Sequence, residues 1–308
     1  MDPLSDILSL LKPRNLLSAG FAAGGDWAVQ FPDQQDNIKT GAVVRGRCLL
    51  WVEGEAGPLP LEPGDCFLLP AGRPFRMASG PDVTPLPAQE LFAAARRGGV
   101  AQIGAGDDFF CVSSRFALDG RHAGLLMSLL PPLVHLRDAG DRSGLRWAME
   151  RMMLELREDR PGAFLVLRHL AHMMLVHALR LHLDKGPHGG RAGWLFALSD
   201  RQIGAAIAAI HAEPAHPWTL QELARHVGMS RSSFAERFKQ MVGDAPLEYV
   251  TRWRMLLAGD RLLSGRESVS AIALSVGYQS ESAFSTAFKR VLGCPPRDYA
   301  RRYGDASQ

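Results

Sequence analysis

The chain repeats itself once near its C-terminal end, and that repeat limits its fold more than any other feature. Laying residues 223–249 on 272–299 sets Leu223 and Ala224 on Ile272 and Ala273, and Val227 and Gly228 on Val276 and Gly277. Phe234, Phe238, Lys239, Gly243, Pro246 and Tyr249 then fall on Phe284, Phe288, Lys289, Gly293, Pro296 and Tyr299. The offset is 49 residues up to the glycine and 50 after it, one extra residue in the turn. Each copy reads as a helix, a glycine turn and a second helix whose phenylalanines, four apart, share one face. That is a helix-turn-helix unit, whose second helix can enter the major groove of DNA.

Cap residues predict the helix starts. Asp200 caps a helix through His211, Thr219 caps Leu220 to His226, and Ser230 caps Arg231 to Val242. Pro246 opens a helix through about Leu263, Ser268 caps Ala271 to Val276, and Ser280 or Gln279 opens the last major helix to Leu292. The connecting helix from Pro246 is 18 residues by this reading and so roughly 27 Å long. With end packing added, it can hold two recognition helices about 34 Å apart, one turn of B-DNA.

A formal net charge of +3 over 308 residues with 46% hydrophobic content describes a globular chain, neither fibrous nor disordered. At that length two domains, or two and a connector, are expected. The distribution of charge says more than the total. Residues 1–205 carry 22 Lys/Arg against 22 Asp/Glu, whereas residues 206–302, which contain the repeat, carry 13 against 9. That small surplus fits a site-specific reader that relies on cooperation between units or subunits rather than on coating DNA by charge. Cys48, Cys66, Cys111 and Cys294 form no CxxC pair, so reduced thiols in the cytoplasm are expected. Cys48 and Cys66 can pair under oxidation only if their strands adjoin. The N-terminus has no cationic segment before an apolar run, which argues against a secretory signal. The apolar stretch from about Ala163 to Leu183 is broken by Arg168, His169, His172, His177 and Arg180, so it reads as a buried helix rather than a membrane span.

Residues 1–135 hold 13 of the 20 prolines and 16 of the 31 glycines, with short runs such as Cys48-Leu-Leu-Trp-Val and Cys66-Phe-Leu-Leu-Pro. Such punctuation predicts many short strands. Beyond about residue 140 the spacing turns helical through Leu145, Ala148, Met149, Met152, Met153 and Leu156. A second helix, opened by Pro161, runs through Phe164, Leu167, Leu170, Met174, Leu175 and Ala178; the two form an intramolecular hairpin or a dimer seam. Lys185 to Gly193 reads as a linker. The expected architecture is α+β and multidomain: a β-rich domain over residues 1–135, a helical connector over 136–200, and an all-α domain over 201–302 with two helix-turn-helix units.

The segments Trp218-Thr-Leu-Gln-Glu-Leu-Ala-Arg-His-Val-Gly-Met-Ser, Ile272-Ala-Leu-Ser-Val-Gly-Tyr-Gln-Ser-Glu-Ser-Ala-Phe-Ser-Thr-Ala-Phe-Lys-Arg and Gly293-Cys-Pro-Pro-Arg-Asp-Tyr resemble the AraC-type transcriptional regulators. The resemblance implies double-stranded promoter DNA as a partner, RNA polymerase as a second, and activation or repression as the outcome. On the first recognition helix, Arg231, Ser232, Ala235, Glu236 and Lys239 lie away from the phenylalanine stripe; on the second, Glu281, Ser282, Ser285, Thr286 and Lys289 do so. Arginine reads guanine, glutamate reads cytosine, and serine or threonine reads several base edges. Lys239, Lys289, Arg290, Arg252 and Arg254 are the candidates for phosphate contacts.

Gly64-Asp-Cys-Phe-Leu-Leu-Pro-Ala-Gly-Arg-Pro-Phe75 resembles the second motif of the cupin barrel, with Phe75 where the motif has histidine. No histidine occurs between residues 1 and 121, so the usual imidazole metal site of such a barrel is not available. The reading is therefore a metal-free, cofactor-free sensing barrel and no enzyme, with a small-molecule effector in its cavity. Trp27, Phe31, Trp51, Phe67 and Phe75 are the aromatic candidates for that pocket. Arg45, Arg47, Arg73 and Arg76 are the cationic ones. His169, His172, His177 and His182 do not converge on one helix face and read as structural.

Overall fold

The computed structural model describes residues 2–34, 37–93, 99–118, 131–137, 143–158, 160–184 and 197–303. The Lys185 to Gly193 linker lies outside the described residues. The chain divides into two compact units, residues 13–185 and residues 1–12 with 186–308.

In the first unit the strands are β1 (Arg14–Ala23), β2 (Ala28–Phe31), β3 (Ile38–Arg45), β4 (Cys48–Val52), β5 (Leu59–Leu61), β6 (Cys66–Leu69), β7 (Phe75–Ala78), β8 (Leu86–Pro87), β9 (Val100–Ile103), β10 (Phe109–Ala117) and β11 (Val134–Leu136). They form a six-stranded sheet in the order β11-β6-β3-β10-β1-β9 and a five-stranded sheet in the order β5-β4-β7-β2-β8. Phe21, Trp27, Val29, Leu50, Phe67, Phe75 and Phe109 from both sheets share one buried core. Burying each such side chain contributes about 1.5–3 kcal/mol, so the interleaved faces hold the sheets together. The turn after β6 needs Gly72: its φ is +60°, and an added Cβ would stand 2.4 Å from the Asn37 carbonyl oxygen.

Helix α2 (Ala88–Leu91) sits beside β2 and β8. Helices α3 (Ser143–Glu158) and α4 (Ala163–Asp184) pack on one another and on the six-stranded sheet, burying Leu145, Met149, Met152, Leu167, Leu170 and Met174 at the predicted spacing. The expected connector thus packs as part of the β-rich unit. Phe164, in the first turn of α4, is 61% exposed. Helix α4 is long and apolar enough by composition to cross a membrane, and one of its faces packs on the sheet.

The second unit contains α1 (Pro3–Leu11), α5 (Arg201–Ala212), α6 (Leu220–His226), α7 (Arg231–Val242), α8 (Pro246–Ser264), α9 (Val269–Ser275), α10 (Glu281–Leu292) and α11 (Pro296–Tyr303). The caps act where the sequence places them. Asp200 accepts from the amides of Gln202 and Ile203, Thr219 from Glu222, Ser230 from Ser233, Ser268 from Ala271 and Ser280 from Ala283. Gly243 and Gly293 close α7 and α10 in the left-handed conformation.

Helix α1 had no counterpart among the predicted helices, although Asp2 caps it and Pro3 occupies its first turn. It buries Leu4, Ile7, Leu10 and Leu11 and packs on α5 and α8. Asp6 Oδ2 lies 3.3 Å from His211 Nδ1, and His211 Nε2 lies 2.8 Å from the Tyr249 hydroxyl. The imidazole stacks on Trp253 with centroids 3.6 Å apart. Neutral His211 satisfies both contacts, donating from Nδ1 and accepting the Tyr249 proton at Nε2. Burial pushes its pKa down to about 3.

The unfolded chain takes up this proton near pH 6.5 while the folded one resists it, so acid favours unfolding. Denaturant titrations should show stability falling by up to about 1.4 kcal/mol for each pH unit below 6.5. His211→Phe should remove most of that slope.

Candidate nucleic-acid interface and effector cavity

The two halves of the repeat build the same aromatic lock. Phe234 and Phe238 lie 5.6 Å apart, with Tyr249 5.7 Å from Phe238; Phe284 and Phe288 lie 5.5 Å apart, with Tyr299 5.4 Å from Phe288. All four phenylalanines are fully buried, which fixes the opposite faces of α7 and α10 as solvent-facing. Arg231, Ser232, Glu236 and Lys239 are exposed on α7, and Ala235 is half-buried beside them. Ser282, Thr286, Lys289 and Arg290 are exposed on α10, with Glu281 and Ser285 half-buried.

Several candidates are already engaged within the fold. Glu281 accepts from the Ser270 hydroxyl and lies 3.5 Å from Arg297, an arrangement that ties the start of α10 to α9. Arg252 pairs with Asp244. Arg254 donates from Nε to the Pro214 carbonyl at 2.6 Å and from Nη2 to the His216 carbonyl at 2.7 Å, and its guanidinium lies 5.8 Å from the Tyr278 ring centroid. These contacts fasten the segment ahead of the first helix-turn-helix unit to the turn of the second. The same segment approaches Gly277 so closely that a Cβ there would stand 2.5 Å from the Ala215 carbonyl oxygen, at a φ of +87°. Arg237, not among the candidates, bridges α7 to Asp200 at 2.6 Å. Its exposed position on the helix was legible, but the distant carboxylate was not.

A cavity of about 260 Å³ opens on the six-stranded sheet of the other unit, walled by Leu17, Phe31, Lys39, Phe92, Ser113 and Arg115 among others. Of the aromatic candidates, Phe31 borders it. Trp27, Phe67 and Phe75 belong to the packed core, and Trp51 lies under the Arg76 guanidinium, 4.8 Å from its centroid. Arg45 is exposed and pairs with Asp107 at 2.8 Å; Arg47 is also exposed, and Arg73 donates to the Glu53 carbonyl. Strand alternation could not foretell this cavity, because its wall is assembled across four strands, a loop and α2.

Cys48 lies on β4 and Cys66 on β6, in different sheets, so their strands do not adjoin. All four cysteines are free and buried. Burial pushes Cys111 up to about 11 and Cys48 higher still, which keeps both as poorly nucleophilic thiols. His169 Nδ1 lies 2.7 Å from the Leu165 carbonyl oxygen, and both ring nitrogens of His172 lie 2.7 Å from carbonyl oxygens. Among the described residues no group of three or more His, Cys, Asp or Glu is placed to hold a metal ion.

Comparison with known proteins places the same boundary near residue 185, although the cupin match also takes in helix α1. A cupin family model matches residues 2–184 and a helix-turn-helix domain model matches residues 223–302. The chain is 45% identical over 302 residues to a putative AraC-like transcription regulator of Streptomyces lividans, covering 98% of each. It is 30% identical to the HTH-type transcriptional regulator AlkR of Acinetobacter baylyi, over 78% of this chain and 80% of that one. It is also 29% identical to the HTH-type transcriptional regulator MtrA of Neisseria gonorrhoeae, over 99% of each. A cupin domain joined to two helix-turn-helix units defines a DNA-binding transcriptional regulator. The chain belongs to the AraC family.

Arg254 serves as a strut, so its loss should register as stability. Arg254→Ala should cost about 2–3 kcal/mol in denaturant unfolding, because two carbonyls lose charged donors. Arg254→Lys should recover only part of that, since an ammonium lacks the planar fork. Arg290→Ala, at an exposed position, should change stability by less than about 0.5 kcal/mol.

Proposed function

We propose that this AraC-family regulator reads an asymmetric promoter site with α7 and α10 placed in successive major grooves, under the control of a small-molecule effector bound in the cupin unit. The observation that carries the reading is the duplicated aromatic lock hinged on the 19-residue helix α8, about 28 Å long. One polypeptide then presents two recognition faces at a fixed separation. Arg231, Ser232, Glu236, Ser282, Ser285 and Thr286 supply base contacts, and Lys239, Lys289 and Arg290 supply phosphate contacts. Control is a population shift: the effector changes how the cupin unit or the α3 and α4 helices constrain the DNA-binding units, and with them the sites the protein occupies. In this reading the protein acts in the cytoplasm as a homodimer, engages RNA polymerase at its promoters, and catalyses no reaction.

The test is selection of binding sites from a random DNA library, followed by affinity measurements at several salt concentrations. A defined asymmetric site with two contacted segments about one helical turn apart is expected. Affinity indifferent to sequence at fixed salt would overturn the reading. Glu236→Ala should relax preference at one base position, whereas Lys239→Ala should weaken all sites alike and lower the salt slope by about one.

A further inference from the structure

The cavity on the six-stranded sheet contains an arrangement that the fold alone disfavours. Register sets Leu17 opposite Arg115 and Arg115 opposite Lys39, and in the next row Ala19 opposite Ser113. Two cations therefore stand directly opposite each other on an antiparallel pair, a placement that costs stability. Among the described residues neither has a carboxylate partner. Lys39 Nζ donates to Ser113 Oγ at 3.0 Å and sits 5.7 Å from the Phe31 ring centroid. Arg115 Nε is buried with no hydrogen-bond partner. Asp33, exposed at the rim, has a partner of its own.

We infer that this cavity binds a compact monocarboxylate with an apolar body, its carboxylate held by Arg115 and Lys39. Resting on the reading of the cupin unit as a sensing domain, the inference names the chemical class of the effector. A planar carboxylate matches the guanidinium fork, and Ser113, beside Lys39, offers a further polar contact. Leu17, Ala19, Phe31 and Phe92 supply the apolar walls, with Phe31 and Phe92 rings 6.0 Å apart. A strongly hydrated dianion would find too few donors on such walls to replace its water. The volume lies just under the roughly 300–1,000 Å³ of sites that take drug-sized ligands, so the body must be small. Burial holds the Lys39 pKa down to about 8, and the Arg115 charge also lowers it. A bound anion reverses that effect, and near pH 8 the complex therefore takes up a proton.

The experiment is calorimetric titration of the full chain with 3-phenylpropanoate and with its neutral isostere 3-phenylpropanamide. The acid should bind at least about tenfold more tightly than the amide. At pH 8 its heat should depend on the ionisation enthalpy of the buffer, as proton uptake requires. Arg115→Gln and Lys39→Met should each reduce the preference to about twofold or less, and Lys39→Met should abolish the proton uptake. The comparison of acid with amide needs no variant, so it stands even if a substitution impairs folding. Equal binding of acid and amide, no binding of the acid, or a preference that survives both substitutions would overturn the inference. Binding of the selected DNA site is measured on the same preparations. Specific DNA binding without discrimination between acid and amide overturns the effector class alone. Discrimination with no effect of the acid on DNA affinity supports the class and overturns effector control.

Discussion

Everything the DNA-binding unit does depends on the burial of two phenylalanine pairs against two tyrosines. A helix pair of seven and twelve residues cannot cover such side chains by itself. Each pair is closed by a tyrosine on a further helix, Tyr249 on α8 and Tyr299 on α11. Because α8 also buries Met255, Ala258 and Leu262 in the core of the second half, it belongs to both. The recognition helices are thereby coupled through one rigid element rather than a flexible linker. Arg254 and the close approach at Gly277 add a second connection between the halves.

The cupin unit is built on a different constraint. Its strands have to satisfy two faces at once, one turned to the shared aromatic core and one to α3 and α4 or to solvent. A like-charged pair inside a cavity, on a sheet otherwise rich in small and apolar residues, departs from that logic. Departures of this kind occur where a site is maintained at the expense of stability. In the DNA-binding unit, by contrast, the buried polar group His211 is fully matched by Asp6 and Tyr249, and helix α1 is fastened by it.

The helix-turn-helix halves were legible because their signals are local. Caps at Thr219, Ser230, Ser268 and Ser280, glycines at helix ends and phenylalanines at four-residue spacing all act within a dozen residues. The stripe on α3 and most of that on α4 followed for the same reason. Helix α1 was overlooked although Asp2, Pro3 and the spacing of Leu4, Ile7 and Leu11 carry the signal, because a segment of nine residues draws its stability from tertiary packing. The pocket candidates were chosen as aromatics and arginines of the strand-rich segment, and alternation does not say which side chains meet across a sandwich. Phe31 borders the cavity, while Trp27, Phe67 and Phe75 fill the core.

By itself the sequence determined the duplicated DNA-reading architecture, the β-rich front half, and the lack of histidines in the segment where a cupin metal site would need them. Tertiary structure decided which charges are free. Arg254, Arg252, Glu281 and Arg237 look alike on a helical wheel, yet each meets a partner fixed by a different element. It also decided that Lys39 and Arg115, 76 residues apart, face each other over one cavity. The reason is physical: caps and periodicity act over a few residues, whereas charge pairing and cavities depend on strand register and helix packing, which bring distant residues into contact.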